Sequence, residues 1–245
     1  MDICEAIERR ISCRAFADRQ IEQEKLSLLQ SRIDEVNRDA GLNLQLYSPR
    51  GEGQTAIDLQ ANVFAGTCYH YIACVAPNTD EGREKVGYYG EKLVLLATQM
   101  DLATCWIGTN YNERTFRMQA GRGEALACVI LLGYPMLRTP TRQWLVRASF
   151  RQRDSEPEAH IKSDTRQVPD WFMDGVRCMQ IGPSGVNLQP VTFCWKKGEV
   201  SAYMPKRMIP IQDVDLGIGK LHFELGSRKK GSWQWGQHGV FRIEE

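Results

Sequence analysis

The sequence predicts an α+β fold, in which helices pack on antiparallel or mixed sheets and the chain divides into two similar halves. Three observations support this prediction. The chain has 245 residues, enough for one large domain or two of ordinary size. Segments with helical and strand periodicity follow one another, and the pattern restarts after a charged, proline-rich stretch. Hydrophobic residues make up 42% and charged residues 25%, which is typical of a folded globular protein.

The first half begins with two predicted helices. In the first, Asp2 is a candidate N-cap with Glu5 three residues later, the pattern of a capping box. The second is expected over about residues 22–40, because apolar residues recur there at helical spacing and Gly41 provides a stop.

The remainder of the first half is expected to alternate between strands and helices. A central helix is predicted at 84–100, since this segment is apolar over much of its circumference. It leads through "DLATCWIGT" into a loop. The other predicted elements are strands at 42–47, 69–76 and 125–134 and a short helix at about 113–120.

A change of composition divides the chain. Residues 137–168 are rich in charge and proline, and we interpret them as an exposed connection between two halves, with domains at 1–150 and 169–245 and a crossing segment at 151–168. The elements predicted after it are a helix at 170–180, a hairpin of strands at 191–195 and 200–204, a helix at 213–225 and a strand at 239–243.

Charge and hydropathy exclude several classes of partner. The formal net charge is +1 and the pI is near 7.6, so neither nucleic acid nor an anionic membrane is expected to bind. The longest apolar stretch, "LACVILL", is too short to span a bilayer, and no apolar run suitable for a signal peptide follows the N-terminus. We therefore expect a cytoplasmic protein.

The eight cysteines contain no CxxC pair and lie mostly in apolar runs, so we expect buried thiols. A metal site is the alternative, and "CYH" at 68–70 is its only hint. We predict no metal.

A candidate phosphate clamp lies in "RRISCRAF" near the N-terminus. Arg10 and Arg14 stand four residues apart and share a face if the helix continues, with Ser12 between them. Two guanidinium groups and a hydroxyl suit a phosphate, because each arginine can present paired donors to its oxygens. The alternative is a solvated helix end whose arginines pair with Glu5 or Glu8.

A second candidate element is the loop "IGPSGVNLQP". Ser184 and Asn187 carry compact donors and acceptors, and Gly185 allows a ligand to approach the backbone closely. Pro183 and Pro190 stiffen the frame. The loop suits the polar edge of a heteroaromatic ligand, and it would serve equally well as a helix-to-strand turn.

Three motifs together resemble the nitroreductase family, the FMN-dependent NAD(P)H oxidoreductases. They are R-x-S-x-R-x-F at 10–16, the segment "LATCWIG" at 102–108 and P-S-x-x-N-x-Q-P at 183–190. In ordinary members the clamp and the loop lie close in sequence, and two subunits build the flavin sites at their interface. Here the loop lies in the second half, so the chain resembles the single-chain subgroup in which two nitroreductase-like halves form an intramolecular pseudo-dimer.

The resemblance implies a set of cofactor-binding residues and one flavin site per chain, between the halves. A backbone N–H near Gly108 or Thr109 would face flavin N5, and Arg142 would help to hold the phosphate. No catalytic side chain is assigned. The implied FMN-binding residues are Arg10, Ser12, Arg14, Gly108, Thr109, Arg142, Pro183, Ser184, Gly185, Asn187 and Gln189.

The implied activity is a ping-pong cycle, in which NAD(P)H reduces the flavin and leaves before a small electron-poor acceptor, such as a nitroaromatic or a quinone, is reduced. The protein would be a monomer that acts as a pseudo-dimer. Two alternatives are a relative that kept the fold but lost turnover, and a flavin enzyme with other chemistry. We expect His222 to be structural, and "GIGKLH" lacks the third glycine of a dinucleotide fingerprint.

Overall fold

The computed structural model describes residues 1–48, 68–108, 116–136, 156–209 and 211–244. The chain groups into two compact units, Met1–Asn78 with Lys92–Arg151, and Thr79–Glu91 with Gln152–Glu245. We call them unit 1 and unit 2. Thr79–Glu91 groups with unit 2 although it lies in the first half of the chain. Each unit has helices and a sheet of its own, so the predicted α+β class is confirmed.

Unit 1 is built on a four-stranded antiparallel sheet in the order β1-β2-β4-β3. The two central strands, β2 and β4, are the long apolar runs of the sequence and are buried along most of their length. The elements of unit 1 are α1 (Ile3–Arg9), α2 (Gln23–Ala40), β1 (Asn43–Tyr47), β2 (His70–Pro77), the later part of α3 (Asp80–Gln99), β3 (Ala103–Ile107) and β4 (Glu124–Gly133).

Local capping sets the ends of the first two helices, as the sequence predicts. The Asp2 carboxylate accepts a hydrogen bond from the Glu5 backbone N–H at 2.9 Å and caps α1. Helix α2 ends at Gly41, whose φ of 66° lies in the left-handed region that glycine adopts without strain.

Unit 2 is built on a five-stranded mixed sheet in the order β5-β6-β7-β9-β8, in which only β5 and β6 among these strands pair in parallel. Its elements are the first part of α3, a 3₁₀ helix (Pro157–His160), β5 (Ile161–Ser163), α4 (Asp170–Ile181), β6 (Thr192–Lys196), β7 (Glu199–Tyr203), α5 (Gln212–Ser227), β8 (Gly231–Trp233) and β9 (Gly239–Ile243).

Helix α5 is the core of unit 2. Every residue from Gln212 to Phe223 is buried, including charged ones, so the helix is enclosed on all sides. Aromatic side chains surround Phe223, and the Phe193 ring stacks on it with centroids 4.4 Å apart. The sequence predicts this helix but not its complete burial, because its charges suggest a solvent-facing side.

Three short strands differ from the sequence-based expectations. Residues 103–107, expected to lead into a loop, form the edge strand β3, and β5 and β8 are three-residue strands that the sequence does not predict. Edge strands this short are stabilised by backbone pairing with a neighbour, which local sequence does not encode. The helix expected at 113–120 is not present at 116–120, and its first residues lie outside the described part of the chain.

The crossing segment is described only from residue 156, where the 3₁₀ helix and β5 begin. Among the described residues, none of the helices combines the length and the hydropathy of a membrane-spanning segment.

Candidate functional site

The clamp motif lies in unit 1 as an extended segment beside strand β3. Helix α1 ends at Arg9, and Arg10 has extended dihedrals (φ −58°, ψ 127°), so the helix does not continue far enough to place Arg10 and Arg14 on one helical face. Ser12 pairs in parallel with Thr104 of β3 instead. In an extended chain, side chains two residues apart project to the same side. The alternate residues Arg10, Ser12 and Arg14 can therefore share one side without a helix.

The two clamp arginines are half-buried, and the charges of both affect the same residue of β3, Cys105. The Nε atoms of Arg10 and Arg14 are buried, and an Arg14 guanidinium N–H donates to the Ser12 backbone oxygen at 3.3 Å. Burial raises the pKa of the Cys105 thiol to about 11, while the charges of Arg14 and Arg10 oppose that rise. Two positive charges are therefore concentrated beside Cys105.

Arg9 lies at the solvated end of helix α1. Its side chain is 56% exposed and pairs with Glu5 at 3.4 Å and with Asp101 at 3.6 Å. For Arg9, these contacts match the alternative of a solvated helix end paired with Glu5.

Backbone hydrogen bonds also anchor the far end of the motif. The Ala17 N–H donates to the Tyr134 oxygen at 2.8 Å, and the Met136 N–H donates to the Ala15 oxygen at 3.1 Å. Phe16 packs so closely over Gly133 that a Cβ there would lie 2.9 Å from its ring. The clamp is thus attached to the sheet beside β3 and again after β4.

Gly108 follows directly on β3, four residues after Thr104, and is partly buried. The same strand therefore carries the partner of Ser12 and leads to Gly108. Thr109 and Arg142 lie outside the described residues.

The loop "PSGVNLQP" lies in unit 2 between α4 and β6 and is held together by its own polar groups. The Gln189 N–H donates to the Ser184 hydroxyl oxygen at 3.0 Å. The Gln189 side-chain amide donates to the backbone oxygens of Gly182 at 2.9 Å and Gln180 at 3.3 Å, and to the Asn187 side chain at 3.3 Å. Ser184 and Gln189 therefore shape the loop, which begins at Pro183.

The backbone of this loop is strained. Val186, Asn187 and Gln189 have φ values of 44°, 57° and 48°, in the left-handed region that L-residues rarely adopt. For the β-branched Val186 this conformation is a marked outlier. Val186 and Leu188 are 58% and 50% exposed, so the strained loop presents apolar side chains.

One carboxylate from helix α5 holds the loop from outside. The Gly185 N–H donates to Asp215 Oδ1 at 2.8 Å. Asp215 is 7% exposed, and burial raises its pKa to about 7 against the opposing hydrogen bond from Gly185. The sequence does not mark Asp215 as a site residue, because acidic residues are common in the first turn of a helix and local sequence does not connect it to the loop.

His222 of α5 contacts side chains of two other helices. His222 Nε2 lies 3.0 Å from Glu91 Oε1, and His222 Nδ1 lies 3.9 Å from Cys178 Sγ. These contacts agree with a structural histidine. A Cβ on Gly182 would lie 2.9 Å from the His222 ring, so this ring lies against the residue that precedes the loop.

The "CYH" segment belongs to the core of unit 1. Burial raises the pKa of the Cys68 thiol to about 12, and burial lowers the pKa of His70 to about 4. The Ile21 N–H donates to His70 Nε2 at 3.3 Å, which requires the neutral ring. Among the described residues no group of three or more His, Cys, Asp or Glu side chains could hold a metal ion.

Comparisons with known proteins match this chain to a protein family and to solved structures. A family model described as "Putative TM nitroreductase" matches residues 2–227. A "putative nitroreductase" from Thermotoga maritima matches with a TM-score of 0.62 and 20% identity, over 99% of this chain and 93% of that one. An FMN-dependent nitroreductase from Clostridium difficile has 15% identity over 55% of this chain and 88% of its own, with a TM-score of 0.44.

A nitroreductase with bound FMN from Desulfitobacterium hafniense has 19% identity over 57% of this chain and 93% of its own, with a TM-score of 0.43. No curated protein matches the chain. The family match includes both the clamp and the loop, and the Thermotoga protein shares the fold over nearly the whole chain. The chain therefore belongs to the "Putative TM nitroreductase" family.

Proposed function

We propose that the protein is an FMN-dependent oxidoreductase that transfers electrons from NAD(P)H to a small electron-poor acceptor, such as a nitroaromatic or a quinone. The observation that carries the proposal is the pair of half-buried arginines, Arg10 and Arg14, held beside β3 in a chain of a nitroreductase family.

The clamp fits a phosphate group in charge and in rigidity. Two guanidinium groups can offer paired N–H donors to phosphate oxygens, and the Ser12 hydroxyl adds a further donor. Partial burial strengthens this attraction, because Coulomb interactions are less screened away from water. The backbone pairing of Ser12 with Thr104 positions these groups before a ligand arrives.

The loop is proposed to be a second flavin-binding element. Val186 and Leu188 expose apolar surface suited to a planar ring, and Asn187 and the Ser184 hydroxyl supply polar groups. Gln189 is proposed to act through loop shape, since its amide donates within the loop and to the end of α4.

FMN supplies the hydride and electron transfer when it is bound, so the protein needs no acid or base of its own for that step. The chain's residues hold the cofactor and set its electrostatic environment. Gly108, directly after β3, is proposed to present its N–H to the flavin ring, and Thr109 and Arg142 are proposed to bind FMN as well. We further propose that the two units represent fused nitroreductase-like halves with one FMN per chain.

The Arg14→Ala variant is expected to bind FMN about tenfold or more weakly than the wild type, because a charge-assisted phosphate contact is lost. The measurement is titration by quenching of flavin fluorescence. Arg9→Ala is the matched control, since Arg9 is exposed and paired with Glu5 and Asp101, and it should bind FMN like the wild type.

Riboflavin lacks the phosphate, so its affinity measures the contribution of the site without the phosphate clamp. Its affinity should be the same for the wild type and Arg14→Ala. Equal FMN affinities for Arg14→Ala and Arg9→Ala would contradict the clamp, and absence of FMN binding by the wild type would overturn the proposed function.

A further inference from the structure

We infer that Asp215 is a positioning residue, whose ionised carboxylate holds the loop 183–190 in its ligand-binding conformation through the Gly185 backbone. The inference rests on the proposed function, because it names a control on the same flavin-binding loop. Asp215 need not touch a ligand to act in this way.

The geometry makes Asp215 a rigid anchor. It lies in the first turn of α5, a helix that is buried around its whole circumference, so its carboxylate has little freedom to move. Its Oδ1 accepts the Gly185 N–H at 2.8 Å. A Cβ on Gly185 would lie 3.3 Å from Asp215 Oδ2, a close approach that a glycine allows without displacement.

The strain in the loop explains why an outside anchor is needed. Residues in the left-handed region persist only where surrounding contacts over-determine them, and the loop contains three such residues, Val186, Asn187 and Gln189. The hydrogen bonds of Ser184 and Gln189 tie the loop to itself and to the end of α4. Asp215 ties it to α5.

The ionised form of Asp215 is the better anchor, since a carboxylate accepts a stronger hydrogen bond than a neutral carboxyl group. Burial raises the pKa of Asp215 to about 7, so the charge changes near neutral pH. The charged groups along the same helix have partners of their own. Asp213 pairs with Arg83 and Arg207, and Lys220 pairs with Glu84.

The first experiment needs no ligand and measures hydrogen exchange at the Gly185 amide. At pH 8, Asp215→Leu should exchange about tenfold or more faster than the wild type, because the acceptor is lost. Asp215→Asn should retain part of the protection, since its amide oxygen can still accept the hydrogen bond. Asp170→Asn, an exposed carboxylate in the same unit, is the matched control and should exchange like the wild type.

The second experiment compares FMN affinity at pH 6 and pH 8. The ratio of the Kd of Asp215→Asn to that of the wild type should rise several-fold toward pH 8, where the wild-type carboxylate is ionised. Titration of FMN itself is common to both proteins and cancels in this ratio. A ratio independent of pH, with unchanged Gly185 exchange in Asp215→Leu, would overturn the inference.

The two proposals fail in distinguishable ways. If the wild type binds no FMN at any pH, the proposed function is wrong. The role of Asp215 in positioning a flavin-binding loop is then wrong as well, even if hydrogen exchange at Gly185 shows that Asp215 holds this amide. If the wild type binds FMN but Asp215→Leu binds it equally well, only the role of Asp215 is wrong.

Stability provides a control with a definite sign. Because the folded-state pKa of Asp215 is raised to about 7 from an ordinary 3.8, ionisation destabilises the folded protein as pH rises between these values. Asp215→Asn should therefore melt at a higher temperature than the wild type above about pH 7 and at the same temperature below about pH 4. Weaker FMN binding by this variant at pH 8 would then not reflect unfolding. A lower melting temperature than the wild type at pH 8 would contradict the burial argument.

Discussion

Replacing Lys220 by methionine is expected to lower the free energy of unfolding by about 3–5 kcal/mol, the usual cost of breaking a buried ion pair. Lys220 is fully buried in α5, and its ammonium group pairs with the buried carboxylate of Glu84 in α3. It also donates to the backbone oxygens of Gln234 at 2.9 Å and Gly236 at 3.1 Å. Methionine has a similar volume but no donor, so the carboxylate would be left buried and uncompensated.

The hydrogen bonds of this pair require both charges. Lys220 Nζ has three acceptors, which matches the three N–H groups of an ammonium ion. Glu84 Oε2 in turn accepts the Gly236 N–H at 2.5 Å. Burial raises the pKa of Glu84 and lowers the pKa of Lys220, and the attraction between the two charges opposes both shifts.

Equilibrium unfolding in urea measures this effect. The double variant Glu84→Gln with Lys220→Met should recover much of the lost stability, because a glutamine carries no charge and can still accept the Gly236 N–H. Methionine at the exposed Lys162 of unit 2 is the control and should change stability by less than about 0.5 kcal/mol. A loss below about 1 kcal/mol in Lys220→Met would show that the pair is not essential.

The Gly217→Ala variant should lose about 3 kcal/mol or more, the upper range for overpacking a core. A Cβ at 217 would lie 1.9 Å from the Glu84 backbone oxygen and 2.7 Å from the Tyr88 backbone nitrogen of α3. Backbone atoms cannot rotate away as a side chain can, so α5 and the first part of α3 would have to separate. Gly87 is placed similarly, since its Cβ would lie 2.0 Å from the Val214 oxygen.

Thermal unfolding followed by circular dichroism tests this prediction. The control is Gly121→Ala, where a Cβ would lie 3.1 Å from a side-chain oxygen of Glu124 that can move, and the expected loss is under about 1 kcal/mol. A melting temperature of Gly217→Ala equal to that of the control would mean that the two helices can adjust at little cost.

Helix ends could be predicted from the sequence because they depend on neighbouring residues. Asp2 caps α1 with its own side chain, and Gly41 ends α2 with its own left-handed backbone. The buried strands β2 and β4 could be predicted from the length of their apolar runs. The edge strand β3 could not, because it depends on pairing with β4.

The two candidate binding elements are also recognisable from the sequence as motifs. Their backbone conformation and internal hydrogen bonds are not. The sequence left open whether helix α1 continues through Arg10 and Arg14, and in the structure this segment is extended because Ser12 pairs with Thr104, a residue distant in the chain. For the loop, the sequence predicts that Ser184 and Gln189 bind ligand, and the structure adds that their polar groups hold the loop together.

The α+β class, the principal helices and core strands, and the motifs that resemble the nitroreductase family are predictable from the sequence. All of these depend on local periodicity, capping residues or short residue patterns. The hydrogen bond between Asp215 and Gly185 and the pairing of Lys220 with Glu84 are visible only in the folded protein. A charged residue in a helix has the same local pattern whether it faces water or a buried partner, and that difference depends on which distant segments fold against it.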